Sequence, residues 1–200
     1  MRYLKLDLKN LPKTKFPRVT VHGRFQPPLH VNHWKYIQAA FKIADKVTVL
    51  ITNPKLEEAL FAKARHRVDP KHNPFSYKAR AAIFKSFFGK MGIPKSRYEF
   101  KPFNITDKKD WKKVLRKNVP NVINTYGSPW SAKKLKEFKK SPYPVIHLSI
   151  PKVKPVSGKN IREILSRHLS QAELKRELAK AGYMKKALPG LFEVLKTRVP

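Results

Sequence analysis

Apolar and polar positions follow two periods along this chain, and the two periods alternate. Residues 17–23 set Val19 and Val21 between polar neighbours and close on Gly23, which predicts a strand running into a turn. From His30 the apolar positions Trp34, Ile37, Ala40, Phe41 and Ala44 fall at helical spacing, so a helix is expected to about Ala44. The run Val47-Thr48-Val49-Leu50-Ile51-Thr52 is β-branched and apolar on both faces, as a central strand requires. The same reading predicts a helix over 76–91, capped by Ser76 and closed near Gly92, and a third strand over 98–103. A short helix over 110–117, a fourth strand over 121–126, a helix over 131–140 and a fifth strand over 143–149 follow. Residues 157–198 read as helical, with breaks near Ser170, Gly182 and Pro189. This alternation specifies an α/β fold: a five-stranded, mainly parallel sheet with helices on both faces and a helical C-terminal tail.

One segment interrupts the rhythm. Residues 53–73 carry Asn-Pro, Asp-Pro and Asn-Pro dipeptides around a charged stretch, which reads as a long excursion holding one short helix over 55–63. Loops of this length in compact domains often serve as lids or substrate loops.

Composition narrows the class. A chain of 200 residues, 41% of them apolar, suits one domain with a full core. With no cysteine, disulfide frameworks and thiolate metal sites are excluded. Charges spaced through Met1-Arg2-Tyr3-Leu4-Lys5-Leu6-Asp7-Leu8-Lys9 leave no signal-peptide core, and no unbroken apolar run reaches membrane length, so a soluble cytoplasmic protein is expected. The net charge of +32 demands an explanation. The lysines are spread along the chain with only modest clusters, such as Lys108-Lys109, Lys112-Lys113 and Lys133-Lys134. Two readings stand: nucleic-acid binding, or a solvated cationic surface that draws in anionic substrates.

The chemistry concentrates where the first strand meets the first helix. Gly23 ends the strand where a side chain would block the approach of a phosphate to the backbone. His30 and His33, three residues apart, share one face of the helix's first turn, where unpaired N–H groups and the positive end of the macrodipole favour phosphate. Zinc is the competing reading for such a pair, but no Asp or Glu stands near in sequence to complete a site. No credible nucleophile or paired-carboxylate base is found, so no metal ligands are assigned to the protein itself.

Gly23-Arg24-Phe25-Gln26-Pro27 followed by His30-x-x-His33 resembles the HxGH signature of the nucleotidylyltransferase superfamily, most closely the archaeal-type nicotinamide mononucleotide adenylyltransferases. Further segments are similar in the same order: Asn73-Pro74-Phe75-Ser76 followed by Arg80, the segment 92–98, Gly127 and Pro129 of a Ser-Gly-Asn-Pro loop, Val156-Ser157-Gly158-Lys159-Asn160-Ile161-Arg162, and 188–194. The sequence departs from the pattern by one extra residue before His30, Asn32 in place of glycine, His72 in place of an arginine, Ala79 in place of Glu, and Lys159-Asn160 in place of Thr-Glu.

The resemblance implies a Rossmann-like nucleotidylyltransferase fold, with an N-terminal extension (1–16), a core (17–156) and a C-terminal helical segment (157–200) that completes a triphosphate site. It implies transfer of a nucleoside monophosphate, AMP from ATP, to a phosphate-bearing acceptor, nicotinamide mononucleotide, with release of pyrophosphate and Mg2+ bound mainly through substrate phosphates. Positioning and electrostatics dominate such a reaction. On this reading His30, His33 and Arg162 are catalytic. Gly23, Arg24, Phe25, Gln26, Ser157 and Gly158 hold the triphosphate, while Trp111, Asn73, Arg80 and Gly127 hold the acceptor. The alternatives are a cytidylyl- or adenylyltransferase acting on another phosphate or phosphonate, and a basic nucleic-acid-binding protein on the same fold. The partners expected are therefore a nucleoside triphosphate and a phosphorylated small molecule, with polyanion binding and a homo-oligomer as further expectations and no membrane.

Overall fold

The computed structural model describes residues 3–6, 11–52, 69, 72–104, 119–124, 144–150, 153 and 156–197. Six strands form one sheet: β1 (Tyr3–Leu6), β2 (Phe16–Gly23), β3 (Ala44–Thr52), β4 (Tyr98–Phe103), β5 (Asn121–Asn124) and β6 (Val145–Leu148). Their order is β1-β6-β5-β2-β3-β4, and every pairing is parallel. The helices are α1 (Val31–Ile43), α2 (Tyr77–Lys90), α3 (Gly158–Leu165), α4 (Gln171–Lys180) and α5 (Leu188–Lys196).

The expected five strands become six. The sixth is β1, which extends the sheet beside β6 with Tyr3 opposite Val145 and Leu6 opposite Leu148. Four residues with a lysine among them give too short an alternation to separate from a solvated tail. Yet Leu6 is buried and Leu4 packs against the core. The other elements fall within a few residues of their expected places. Pro189, expected at a break, instead begins α5, where its missing N–H costs nothing.

Alternation assigns the faces. Val19, Val21, Val47, Val49 and Ile51 are fully buried on one face, and Phe100 and Tyr98 continue it in β4. α1 and α2 cover this face. Phe84 and Phe88 of α2 stack on Phe100 with centroids 5.6 and 5.9 Å apart, and the helices meet edge to face through Trp34–Phe87 and Phe41–Phe88. α5 packs against α2 so closely that a Cβ on Gly190 would lie 2.7 Å from Ser86 Cβ. The opposite face of β3 is not wholly apolar, as its composition suggested. Buried Thr48 donates to Glu99 at 2.6 Å, and its neighbour Thr20 donates to Asn121 at 3.1 Å. The helices expected over 55–63, 110–117 and 131–140 lie outside the described residues. Among the described residues, no helix is long and apolar enough to cross a membrane.

The chain moves outward from β2 through β3 to β4, while β5 and β6 lie on the other side of β2. The carboxyl end of β2 is therefore a topological switch point, the place in open parallel sheets where ligands bind. Gly23, the seven-residue turn after it, and the start of α1 all sit there.

Candidate active site

The turn between β2 and α1 is built from residues in demanding conformations. Phe25 and Leu29 have φ of 49° and 68°, a left-handed region that costs a non-glycine residue about 1–2 kcal/mol. Burial offsets that cost: Leu29 is fully inaccessible, and Phe25 packs edge to face on Phe84 at 5.1 Å and on His33 at 5.0 Å. Gly23 is required by this packing, since a Cβ there would lie 2.7 Å from the Phe25 ring. Room for Phe25 is therefore a reason for glycine beside the expected one, room for a phosphate. Phe25 itself supports His33 from beneath, and its side chain lines the core.

Gln26 is likewise a staple. Its buried amide donates to the Phe75 carbonyl at 2.7 Å and accepts from the Phe75 N–H at 3.0 Å, tying the turn to the lead into α2. Its side chain, expected on the triphosphate, is engaged there. Its backbone carbonyl is what reaches across the site, accepting from Arg162 Nη1 at 2.7 Å.

His30 is the N-cap residue of α1, and His33 stands one turn along. Their rings stack with centroids 3.6 Å apart and 23° between planes. Burial first, and then the charge of His30, hold the His33 imidazole well below the usual histidine range, so the resting pair is not doubly charged. His33 Nδ1 is buried with no hydrogen-bond partner among the described residues.

The second half of the site arrives from the far end of the chain. Ser157 caps α3, accepting from the Asn160 N–H at 3.3 Å and donating to Asn160 Oδ1 at 2.9 Å. Its hydroxyl serves the cap, which leaves the N–H groups of Gly158 and Lys159 as the helix's open donors. Gly158 lets the helix approach the turn, because a Cβ there would lie 3.0 Å from the Gln26 carbonyl oxygen and 3.3 Å from Arg162 Nη1. Arg162 is half-buried, and desolvation lowers its pKa, with Glu163 acting in the opposite sense. The structure thus brings His30, His33, Gln26, Ser157, Gly158 and Arg162 to one place. Among the described residues no group of three or more His, Cys, Asp or Glu side chains is arranged to hold a metal ion.

Two connections that assemble these halves were not legible in the sequence. Asn32, the residue in the glycine position of HxGH, is buried. Its Nδ2 donates to the carbonyls of Val153 and Val156 at 3.1 and 3.3 Å, while its Oδ1 accepts from the Val153 N–H at 2.8 Å. It therefore holds the connection that leads into Ser157. The other connection is backbone pairing between residues 29–31 and 182–184. Val31 N–H donates to the Gly182 carbonyl at 2.9 Å and Met184 N–H to that of Leu29 at 3.0 Å, which sets His30 opposite Tyr183. In such a wide antiparallel pair the two side chains are close neighbours. Gly182, at φ 79°, makes the turn, and a Cβ there would lie 2.5 Å from Val156. A glycine after a helix signals only a helix end, so nothing local announces that it docks on His30.

The acceptor-side expectations fare differently. Arg80 is fully buried: its Nη1 donates to the carbonyls of Arg24 and Thr52 at 2.6 and 2.8 Å, and its Nε to that of Ser76 at 3.2 Å. Burial, followed by the nearby charge of Arg24, pushes its pKa down to about 10. Arg80 ties α2 to the ends of β2 and β3. Arg24 is half-buried beside it, and Asn73 is buried, donating to the Asp69 carbonyl at 3.0 Å. Trp111 and Gly127 lie outside the described residues.

No family model matches the chain. A phosphopantetheine adenylyltransferase of Methanosarcina mazei is 32% identical over 90 residues, 44% of this chain and 51% of that protein. The chain thus spans about half the length of the curated relative it matches. Among solved structures, a bifunctional NMN adenylyltransferase/ADP ribose pyrophosphatase from Francisella tularensis superposes with a TM-score of 0.52 at 16% identity, over 92% of this chain and 57% of that one. The same enzyme in complex with AMP and a manganese ion gives the same values. The chain thus shares its fold with a solved NMN adenylyltransferase/ADP ribose pyrophosphatase and a 90-residue segment with a phosphopantetheine adenylyltransferase.

Proposed function

We propose that the protein is a nucleotidyltransferase that transfers AMP from ATP to a phosphomonoester acceptor. The observation that carries this reading is the contact between the two halves of the site, in which Arg162 of α3 donates to the Gln26 carbonyl of the histidine turn. The contact places two sets of anion donors side by side. The imidazoles of His30 and His33 and the N–H groups at the start of α3 hydrogen-bond the triphosphate oxygens. An acceptor phosphate oxygen attacks the α-phosphorus in line, a new P–O bond forms, the α–β bridging bond breaks, and pyrophosphate leaves. Arg162, held by one Nη and half-buried, lies where charge builds on the departing phosphates. The described donors are imidazoles, N–H groups and a guanidinium, with no carboxylate among them, so a divalent cation would be held mainly by the phosphate oxygens and would supply charge neutralisation there.

The leading acceptor is nicotinamide mononucleotide, giving NAD. The segment shared with a phosphopantetheine adenylyltransferase favours a second acceptor, the phosphate of pantetheine. Pyrophosphate release with ATP or CTP against a panel of both acceptors and other phosphomonoesters distinguishes them, and silence with every pair would overturn the proposal. Arg162→Ala should lower kcat by about 10²–10³, the effect of removing one preorganised donor. A loss under tenfold would remove Arg162 from this role.

A further inference from the structure

The amino edge of the sheet carries a cationic cluster that nucleotidyl transfer does not use. Register sets the starts of β2 and β3 side by side, Phe16 beside Ala44, and the start of β4 three residues on, Tyr98 beside Val47, so that residues 95–97 lie level with the start of β3. Lys15 therefore lies next to the junction where α1 passes directly into β3, with Lys13 just before it. Arg97 closes the corner: its guanidinium donates to the carbonyls of Phe41, Ala44 and Asp45 at 2.8–3.0 Å and lies 5.5 Å over the Phe41 ring. Around it stand Lys42 in the last turn of α1, Lys90 in the last turn of α2, and Lys95. All five lysines are exposed, and none is ion-paired among the described residues.

Carboxylates are nearly absent here. From residue 16 to 52 the only acidic residue is Asp45, and from 72 to 98 there is none. The C-terminal helices differ, for their cations alternate with Glu163, Glu177 and Glu193 in pairs such as Lys159–Glu163, Lys180–Glu177 and Lys196–Glu193. A helix-dipole role accounts for Lys42 and Lys90 alone. Attraction of substrate does not account for the cluster either. It lies at the opposite end of the eight-residue β2 from Gly23, roughly 25 Å away, several times the physiological Debye length of about 8 Å. A membrane is disfavoured by what lies between the lysines. Gln38, Gly89, Gly92 and Pro94 are exposed, Trp34, Phe41, Phe87 and Phe88 are buried, and Phe16, Met91 and Ile93 are partly buried against the core, so the described surface here offers no fully exposed large apolar side chain as an anchor.

We infer that this edge binds the phosphodiester backbone of a nucleic acid without reading its sequence. Lysines supply charge without bidentate base recognition, and three adjacent strand starts span about 10 Å, along which a duplex carries about six charges. The test is fluorescence anisotropy with a 20-base-pair RNA duplex and its DNA counterpart across a salt series. Binding should weaken steeply, with a log–log slope of about −4 to −5. The variant K15Q/K42Q/K90Q/K95Q should flatten that slope by about three to four and weaken binding at least tenfold at physiological salt. The smaller variant K90Q/K95Q should flatten it by about two, and both should release pyrophosphate at the parent rate. The control K175Q/R176Q/K180Q/K196Q changes net charge equally and should move the slope by less than one. Equal losses in the control, an unchanged slope in the edge variant, or retention on phosphatidylserine–phosphatidylcholine vesicles at salt that releases both duplexes would overturn the inference. The RNA and DNA arms establish which duplex is preferred.

Discussion

Two imidazoles stacked 3.6 Å apart cannot both be protonated without an anion beside them, and that fixes how the site responds to pH. Burial and His30 lower the His33 pKa in the folded protein. The unfolded chain then binds the proton more readily, so stability is lost as pH falls below the unfolded value of about 6.5 and continues to fall until the folded value is reached. His22, lowered by burial, acts in the same sense. Urea titrations from pH 7.5 to 5 should show this loss, with a slope of up to about 1.4 kcal/mol per pH unit for each histidine, and His33→Gln should reduce it. On the proposed function, a triphosphate bound at His33 would reverse the sign there, because its charge favours the imidazolium. Calorimetry of ATP binding near pH 6.5 in two buffers of different ionisation enthalpy should therefore register proton uptake, and His33→Gln should abolish it.

Between elements, the decisive contacts are those that seat α3 against the histidine turn. Asn32 makes three hydrogen bonds to the connection into α3 and is buried while doing so. Asn32→Ala leaves the Val153 N–H without that acceptor and should cost about 2–3 kcal/mol in urea denaturation, with a KM for ATP that rises more than kcat falls. Equal stability with parental KM would show that the connection is held by something else. Legibility divides along the same line. β2, α1, β3, α2 and β4 were readable because their periods, the Ser76 cap and the Gly92 stop are local signals. His30, His33, Ser157 and Arg162 were readable as a motif. The staples were not. Gln26 bonding Phe75, Arg80 bonding three carbonyls, and Asn32 bonding Val153 join residues 4 to 121 positions apart, and an amide or guanidinium in sequence does not announce which distant backbone it will satisfy. Polar residues that looked like ligand contacts were in several cases the framework holding the contacts in place.

At the scale of the molecule, charge and connectivity are both uneven. Among the described residues the C-terminal helices pair part of their cations, while the five lysines of the amino edge are in no ion pair. Connectivity is uneven because of β1. Its partner is β6, and Tyr3, whose hydroxyl lies 3.0 Å from His147 Nδ1, bonds a residue 144 positions away. β1 precedes β6, its neighbour among the described strands, by about 140 positions, so the two meet only after the intervening chain is made. β2, β3 and α1 can pair while β1 waits, and loop-closure entropy makes its docking late. Pulsed hydrogen exchange during refolding should protect the amides of residues 3–6 after those of β2 and β3, and simultaneous protection would count against this order. Until β1 docks, β6 is an open edge able to accept a strand from another chain. The four residues of β1 thus act last, as the closure that makes the folded sheet a private one.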